Sequence, residues 1–234
     1  MKSLSRWLNI ICDDLARFSE DISQHVNGLL LDVGCGIKQE SFKPKVKRYI
    51  GLEYPGSSRI NDRQQVNKND IYGTALDLPF RDASFDTVVA LSLLEHLPDP
   101  QRAVNEAYRV LKRGGTFAAT VPFMNRIHLA PYDFFRFTIY GIRHIVETAG
   151  FEVIKIEDGG GMWKMIGARL AGYIYSDILG LGYGVSDLEV RPKIYLLPLF
   201  APLIIFIVFI FRLLDRMHCV KKDTLHYYVL CRKP

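Results

Sequence analysis

The stretch Leu29–Gly36 reads LLLDVGCG and constrains the fold more than any other part of the chain. Its run of apolar residues indicates a short strand that is covered on both faces. Gly34 and Gly36 follow at once, and because glycine has no Cβ, a ligand can lie directly against the backbone there. Asp32 stands just before the turn, where its carboxylate accepts from a cationic ligand group or orders the loop. Alone, the spacing also fits an ordinary strand-to-loop turn.

The spacing of the glycines disfavours a dinucleotide site, and with it a nicotinamide-dependent oxidoreductase. The fingerprint G-x-G-x-x-G needs a third glycine where this chain has Gln39. The run Leu31–Gly36 instead resembles the first motif of class I S-adenosylmethionine (SAM)-dependent methyltransferases, in particular their type 11 group. The resemblance implies SAM over the glycine turn as the cofactor, bound by Asp32, Gly34, Cys35 and Gly36.

Acids follow at the ends of successive predicted strands. Glu53 ends the second strand, and the resemblance makes it the acceptor for the ribose hydroxyls of SAM. Asp77 and Leu78 match the family residues beside adenine, the second through its backbone amide. They open the pattern D-L-P-F-x-D-x-S-F-D, the most family-specific text in the chain. Acids at successive strand ends place these contacts on one edge of a parallel sheet, where open α/β sheets bind ligands.

The segment after the fourth strand, Ser92–His96, resembles the family segment beside the methionine end of SAM. The resemblance implies that Ser92 is a further cofactor contact. His96 is a candidate general base, although a histidine in such a loop more often caps or orders it.

A long aromatic loop, residues 123–138, follows the fifth predicted strand. Loops held at that edge by a rigid scaffold usually contact substrate. The spacing H-x-x-P-x-D-F-x-R-x-T resembles a subgroup of these methyltransferases associated with surface-glycan or lipid-linked sugar synthesis. Asp133 and Arg136 could equally form a structural pair that holds the loop shut. The candidate acceptor contacts are His128, Tyr132, Asp133 and Arg136, with His128 also a candidate catalytic residue.

The complete pattern predicts an α/β fold: a Rossmann-like, seven-stranded, mostly parallel sheet with helices on both faces and an antiparallel last strand. The sixth strand is predicted over residues 151–156 and the seventh over residues 224–232. An apolar helical insertion separates them. The predicted organisation is a SAM-binding domain over residues 1–160, the insertion over 161–222 and the final strand over 223–234.

Three local predictions accompany this fold. Leu4–Ile22 has the periodicity of an amphipathic leading helix that packs on the sheet or closes over the cofactor. Pro44 limits the helix after Gly36 to a turn or two. Residues 55–69 are polar and predict a loop or a short helix.

The insertion contains eighteen uncharged residues, Ile194–Phe211. At ~1.5 Å per residue they reach about 27 Å, just short of a span, and Pro198 and Pro202 interrupt the helix near its start. Both flanks join the same sheet, so a re-entrant or in-plane element at the cytoplasmic face of a membrane is predicted. The alternative is a soluble cytoplasmic protein whose apolar helix is buried in a dimer.

Composition narrows the partners. The net charge of +5 comes without an arginine-rich arm, which argues against nucleic acid. The four cysteines have no metal-ligand spacing, so neither a metal nor a disulfide framework is predicted, and the N-terminus has no signal-peptide pattern. The predicted function is SAM-dependent methylation of a small-molecule, glycan or lipid-linked acceptor at the membrane surface. The alternative is a non-catalytic SAM-binding or membrane scaffold protein.

Overall fold

The structure is a computed structural model that describes residues 13–36, 45–55, 70–181 and 193–234. The first half of the predicted leading helix, the short helix predicted after Gly36 and most of the segment 55–69 lie outside the described residues. The chain divides into two compact units. The sheet unit comprises Ala16–Phe123, Tyr132–Glu157 and His226–Pro234, and the hairpin unit comprises Met1–Leu15, Met124–Pro131 and Asp158–Leu225.

Seven strands form one sheet in the order β3-β2-β1-β4-β5-β7-β6. β1 pairs in parallel with β2 and β4, β2 with β3, and β4 with β5, whereas β7 runs antiparallel to β5. The predicted Rossmann-like sheet with an antiparallel last strand is thereby confirmed. The strands are β1 (Leu29–Val33), β2 (Arg48–Glu53), β3 (Ile71–Tyr72), β4 (Phe85–Leu91), β5 (Leu111–Pro122), β6 (Glu152–Asp158) and β7 (His226–Arg232).

Three helices accompany the sheet: α1 (Asp13–His25), α2 (Pro100–Val110) and α3 (Ile139–Thr148). α1 packs on the sheet, as predicted, and the ring of Phe18 stacks on that of Tyr228 with their centroids 4.4 Å apart. A side chain caps the start of α2 and of α3. The Asp99 carboxylate accepts from the Arg102 amide at the start of α2, and the Thr138 hydroxyl accepts from the Gly141 amide at the start of α3.

The boundary between α2 and β5 differs from the prediction. The periodicity extends the helix to Gly114–Gly115, but α2 ends at Val110 and β5 begins at Leu111. Leu111 is fully buried because it pairs with Phe85 at the start of β4. Gly114, with a φ of 74°, supplies the backbone irregularity that the strand needs there.

The hairpin unit contains the helices inserted between β6 and β7. α4 (Met162–Tyr173) continues as a π-helical turn, Ile174–Ile178, and a 3₁₀ turn leads into α5 (Leu197–Met217). Pro198 lies in the first turn of α5, where a missing N–H costs little, so Pro202 alone stands inside this helix.

The apolar helical stretch is longer than its uncharged run. It covers Ile194–Met217, 24 residues, which at ~1.5 Å per residue reach about 36 Å. The expectation that it falls short of a span is therefore wrong, because the helix continues past Phe211 through Arg212 and Arg216. In the described part of the chain it is the one helix long and apolar enough to cross a membrane, and none of its most apolar window is buried.

α4 and α5 form an antiparallel hairpin. At one end the Met162 amide donates to the carbonyl of Val220 at 2.9 Å, and at the other the Lys193 amide donates to the carbonyl of Leu179 at 2.8 Å. The helices touch closely at Gly167, where an added Cβ would stand 2.5 Å from the side chain of Phe211.

Asp215, near the C-terminal end of α5, caps the start of α4. Its carboxylate accepts from the amides of Gly161 at 3.2 Å and Lys164 at 3.3 Å. These contacts satisfy amides that have no partner within α4 itself.

Candidate functional site

The glycine turn after β1 has the backbone geometry that a ligand cradle needs. Gly34 and Gly36 have φ values of 72° and 44°, a region that favours glycine. The amides of Gly34 and Cys35 donate to the carbonyl of Leu52, which anchors the turn to β2. Among the described residues, no atom lies within 4 Å of the place where a Cβ on Gly36 would stand. These residues therefore fix the turn on one side and leave its other side open.

Glu53 reaches the glycine turn from the end of β2. Its Oε2 accepts from the Gly36 amide at 2.7 Å, and its Oε1 accepts from the Tyr54 amide at 3.0 Å. Glu53 is buried, so two backbone donors hold its carboxylate in one orientation. Each carboxylate oxygen has a second lone pair with which it can accept from a ligand hydroxyl.

Asp32 is fixed from the neighbouring strand. The Tyr49 hydroxyl on β2 donates to Asp32 Oδ2. Burial raises the pKa of Asp32 to about 7; the Tyr49 hydrogen bond lowers it and the charge of Glu53 adds to the rise. Of the two alternatives open for Asp32, this geometry favours ordering of the turn over contact with a ligand cation. Sequence reasoning missed Tyr49, which no motif marked.

Asp77 and Leu78 follow β3 at the same edge of the sheet. Asp77 is exposed, and its backbone bridges to Thr74. The Leu78 amide, expected to reach a ring nitrogen of adenine, donates instead to Glu106 Oε2 on α2 at 2.7 Å. An adenine ring would have to compete with Glu106 for this amide, so contact through Leu78 stays a prediction.

An ion-pair network on α2 holds this segment, and sequence reasoning missed it. Arg109 donates through Nε and Nη2 to the carboxylate of Glu106, and also to the carbonyls of Leu78 and Phe80. Asp82 accepts from Arg109 Nη1 at 2.7 Å. The pattern D-L-P-F-x-D-x-S-F-D therefore includes residues that hold the adenine side of the sheet edge in shape. These residues do not need to contact a ligand themselves.

Ser92 marks the end of β4 with a left-handed backbone, φ 50°, which is uncommon for a residue other than glycine. Its amide donates to Thr120 Oγ1 at 2.8 Å, and its own hydroxyl lies 3.2 Å from the same oxygen. Strained backbone at the ligand edge of a sheet is a recognised feature of functional sites.

Residues 132–135 of the loop after β5 lie against the turn after β4. The carbonyl of Glu95 accepts from the amides of Phe134 at 2.8 Å and Phe135 at 3.3 Å. His96 Nδ1 lies 2.6 Å from the carbonyl of Tyr132. Because a carbonyl can only accept, Nδ1 donates this bond, and a neutral His96 ring then has its acceptor nitrogen at Nε2.

Asp133 and Arg136 form the structural ion pair that the sequence offers as the alternative to acceptor contact. Arg136 donates through both terminal nitrogens to the two carboxylate oxygens of Asp133, each at 2.7 Å. The Asp133 side chain is 2% exposed and that of Arg136 is 25% exposed. The bidentate pair closes residues 132–137 into a rigid loop and leaves part of the guanidinium accessible.

Glu95 is a second residue that sequence reasoning missed. It is 1% exposed, and in the part of the chain described here its Oε2 is the one buried side-chain nitrogen or oxygen with no hydrogen-bond partner. Burial raises its pKa to about 7, against the lowering effects of its own amide and of Arg136, while Asp133 raises it further. Only its place between Leu94 and His96 could have drawn attention to it.

His128 belongs to the hairpin unit, whereas His96, Tyr132, Asp133 and Arg136 belong to the sheet unit. His128 Nδ1 donates to the carbonyl of Arg126 at 3.1 Å.

The sheet unit by itself has three features along one edge of its sheet. They are the glycine turn, the Glu53 carboxylate, which suits the hydroxyls of a ribose, and the buried carboxyl of Glu95. A family model described as a methyltransferase domain matches residues 31–119, which contain the end of β1, Glu53, Asp77 and the segment Ser92–His96. Residues 31–119 are therefore similar to a methyltransferase domain. SAM is the cofactor that this similarity supports, and the Gly36 turn beside the oriented Glu53 fits it.

Relatives of the methyltransferase domain agree with this assignment. A probable S-adenosylmethionine-dependent methyltransferase of Mycolicibacterium smegmatis is 35% identical over 135 residues, 53% of this chain and 52% of the relative. The chloroplastic 2-methyl-6-phytyl-1,4-hydroquinone methyltransferase 1 of Oryza sativa subsp. japonica is 35% identical over 141 residues, 56% of this chain and 42% of the relative. The chain spans about half the length of such relatives.

Solved structures share the fold of the methyltransferase domain. The [4+2]-cyclase SpnF has a TM-score of 0.53 and 20% sequence identity, over 93% of this chain and 81% of that one. At this identity the likeness concerns the fold alone.

Proposed function

We propose that this protein transfers the methyl group of SAM to an oxygen of an apolar or lipid-linked acceptor at a membrane surface. The observation that carries the proposal is the contact between the glycine turn and the segment after β4. A Cβ on Gly34 would stand 2.8 Å from the side chain of Leu93, two residues before Glu95. The cofactor side and the acceptor side of the sheet unit therefore adjoin.

When bound, SAM supplies an activated methyl group for an in-line displacement. The residues of the chain have to align the acceptor and exclude water, which are the main requirements of such a step. Glu53 and the glycine turn hold the cofactor, and residues 132–137 form a rigid wall over Glu95 and His96.

The surface of this wall supports an apolar acceptor. Tyr132, Phe134 and Phe135 are 50%, 47% and 38% exposed although they belong to one short loop. Exposed aromatic side chains that lie together mark binding surfaces for apolar partners. The rice relative, by its name, methylates a phytyl-substituted hydroquinone, which has an apolar chain. We carry that acceptor class, an apolar molecule, to this chain.

The hairpin unit supports a lipid surface as the partner of α5. Large apolar side chains are exposed along the whole helix. Lys193 precedes the helix, Arg212 and Arg216 lie in its last turns, and Lys221 and Lys222 follow it. Apolar area with basic flanks is the chemistry that binds an anionic leaflet. The exposed residues of α5 are Leu199, Leu203, Ile205, Phe206, Phe209, Leu213 and Met217.

The hairpin geometry favours an in-plane position. Because α4 runs antiparallel beside α5, α5 could cross the bilayer only if α4 crossed with it. α4 and its π-helical turn contain Lys164, Arg169 and Asp177, which are costly in the hydrocarbon core. An in-plane hairpin keeps these side chains at the headgroups and places both of its sheet connections, after β6 and before β7, on the same side of the membrane.

The membrane part is tested by flotation of the purified full chain with phosphatidylcholine vesicles that contain or lack phosphatidylserine. We expect flotation that is stronger with phosphatidylserine and weaker in high salt. The double variant Phe206→Asp/Phe209→Asp should lose it, whereas Tyr72→Asp, an equally exposed aromatic on β3, should not. A wild-type protein that stays soluble as a dimer and floats with neither kind of vesicle would contradict the proposal.

The transfer part is tested with methyl-labelled SAM and a panel of apolar phenols, sterols and lipid-linked sugars presented in the same vesicles. We expect S-adenosylhomocysteine to form and the label to move into the organic phase with one of these classes. Label that moves only into water-soluble acceptors would contradict the acceptor class. The second candidate, a SAM-binding protein without transferase activity, predicts SAM binding with no S-adenosylhomocysteine.

A further inference from the structure

The buried carboxyl of Glu95 is not explained by the stability of the fold. An unpaired buried polar group costs about 1–3 kcal/mol, and native proteins keep few of them. Glu95 Oε2 is such a group, and Oε1 lies 3.9 Å from His96 Nε2. An apolar residue of similar size at this position would cost the fold less, which points to a role for Oε2 outside the stability of the fold.

The position of Glu95 points to the reacting atoms. It follows β4, the strand beside β1, and Leu93 of the same segment contacts the glycine turn at Gly34. Within the sheet unit, the backbone amides of Phe134 and Phe135 donate hydrogen bonds to the Glu95 carbonyl. The segment that carries Glu95 therefore contacts the cofactor cradle through Leu93 and the loop assigned to the acceptor through the Glu95 carbonyl.

We propose that Glu95 is the catalytic base that takes the proton from the acceptor hydroxyl during methyl transfer. An acceptor that enters beneath Tyr132–Phe135 supplies the partner that Oε2 lacks. The inference rests on the proposed function.

The step balances as follows. The acceptor oxygen forms a bond to the methyl carbon, and the carbon–sulfur bond breaks with its electron pair left on sulfur. The hydroxyl proton moves to the Glu95 carboxylate, so that S-adenosylhomocysteine, the methyl ether and a neutral Glu95 are the products. No oxidant, metal or further reactant is needed.

The surroundings of Glu95 suit a base that works near neutral pH, since proton transfer is most effective when the base titrates close to the working pH. The titratable and charged groups that face it within the sheet unit are His96, Asp133 and Arg136. Of these, Asp133 and Arg136 neutralise each other in their bidentate pair. His128 is a further titratable residue of the same loop by sequence, and it enters the test as a variant.

The test compares wild type with Glu95→Gln, Glu95→Asp and the matched control Glu152→Gln, an exposed glutamate on β6. Calorimetric titration of SAM and single-turnover formation of S-adenosylhomocysteine are measured with the best acceptor of the vesicle panel. We expect Glu95→Gln to keep SAM affinity within about twofold while turnover falls about 10²–10⁴-fold. Glu95→Asp should recover about tenfold of this loss, because it restores a carboxylate.

The pH profile separates a base from a structural role. Wild-type turnover should rise with pH through a midpoint near 7, because Glu95 must lose its proton to act. This rise of turnover with pH should be absent in Glu95→Gln and should remain in His96→Gln and His128→Gln. Turnover of Glu95→Gln within threefold of wild type, or an unchanged rise with pH, overturns the assignment of Glu95 alone. No turnover by wild type overturns the proposed function together with it.

Discussion

The carboxylate of Glu53 accepts a hydrogen bond from the Gly36 amide at 2.7 Å, which joins the end of β2 to the glycine turn after β1. Two residues singled out separately in the sequence are thus parts of one structure. The bond fixes the carboxylate beside Gly36, and no atom of the described residues stands within 4 Å of a Cβ on that glycine. This hydrogen bond is the main structural support for SAM binding at the glycine turn.

Replacing Glu53 by alanine should weaken SAM binding. The ribose hydroxyls lose a charged acceptor, and a hydrogen bond to a charged group contributes about 1.5–3 kcal/mol, which corresponds to about 10–150-fold in affinity. Calorimetric titration of SAM measures the change, with circular dichroism to show that the variant is folded. The exposed Glu152→Ala on β6 is the matched control and should bind like wild type. A folded Glu53→Ala protein with wild-type affinity would remove Glu53 from the site.

Asp32 should make the fold less stable as pH rises. Its pKa is about 7 in the folded chain and near 3.8 when unfolded, so between these values the native state holds a proton that the unfolded state has lost. The free energy of unfolding therefore falls as pH rises through this window. Asparagine at position 32 resembles the neutral form of the carboxyl. Asp32→Asn should therefore remove about 2–3 kcal/mol of the fall in the free energy of unfolding between pH 5 and 8.

Urea unfolding of wild type and Asp32→Asn at several pH values measures that slope. Glu95 has a raised pKa of the same sign, so Asp32→Asn should flatten the profile in part and Asp32→Asn/Glu95→Gln should flatten it further. Parallel profiles for wild type and Asp32→Asn would show that Asp32 is already charged in the native state.

Arg136→Lys should reduce turnover while SAM affinity stays near wild type. Lysine keeps the charge beside the buried Asp133 but cannot form the two parallel hydrogen bonds, so the loop loses rigidity on the acceptor side. Loss of one charged hydrogen bond predicts a decrease of about tenfold or more. Arg143→Lys, in the exposed pair with Glu147 on α3, is the control. Lower SAM affinity with unchanged turnover per bound SAM would place this loop on the cofactor side instead.

Single cysteines at positions 187 and 222 test the topology of the hairpin. Position 187 lies between α4 and α5 and position 222 lies just before β7. With the exposed Cys219 replaced by serine, both reporters should react with a membrane-impermeant thiol reagent from the same side of the membrane. Reaction from opposite sides would mean that the helices cross the bilayer, and the in-plane position would be wrong.

The sequence was sufficient for the sheet because each strand ends in a local signal. The glycine turn, Glu53 and the D-L-P-F text are contiguous, and the caps Asp99 and Thr138 lie beside the helices that they begin. Contacts distant in sequence could not be found in this way. The Leu78 amide is held by Glu106, 28 positions away.

Burial of polar groups was equally hidden. Glu95 stands in a stretch that predicts a loop, yet it is buried, and its carbonyl accepts from the amides of Phe134 and Phe135, which are distant in sequence. The length of α5 was underestimated because Arg212 and Arg216 were read as its end. Charged residues do not end a helix when its backbone hydrogen bonds continue.

The central claim, methyl transfer from SAM, is tested most directly by the stoichiometry of one reaction. Wild-type protein in phosphatidylserine-containing vesicles is given methyl-labelled SAM and the acceptor panel, and S-adenosylhomocysteine and methylated acceptor are counted together. The account predicts one methyl group in the acceptor for each S-adenosylhomocysteine formed. SAM that binds one to one in calorimetry but yields neither product would contradict it.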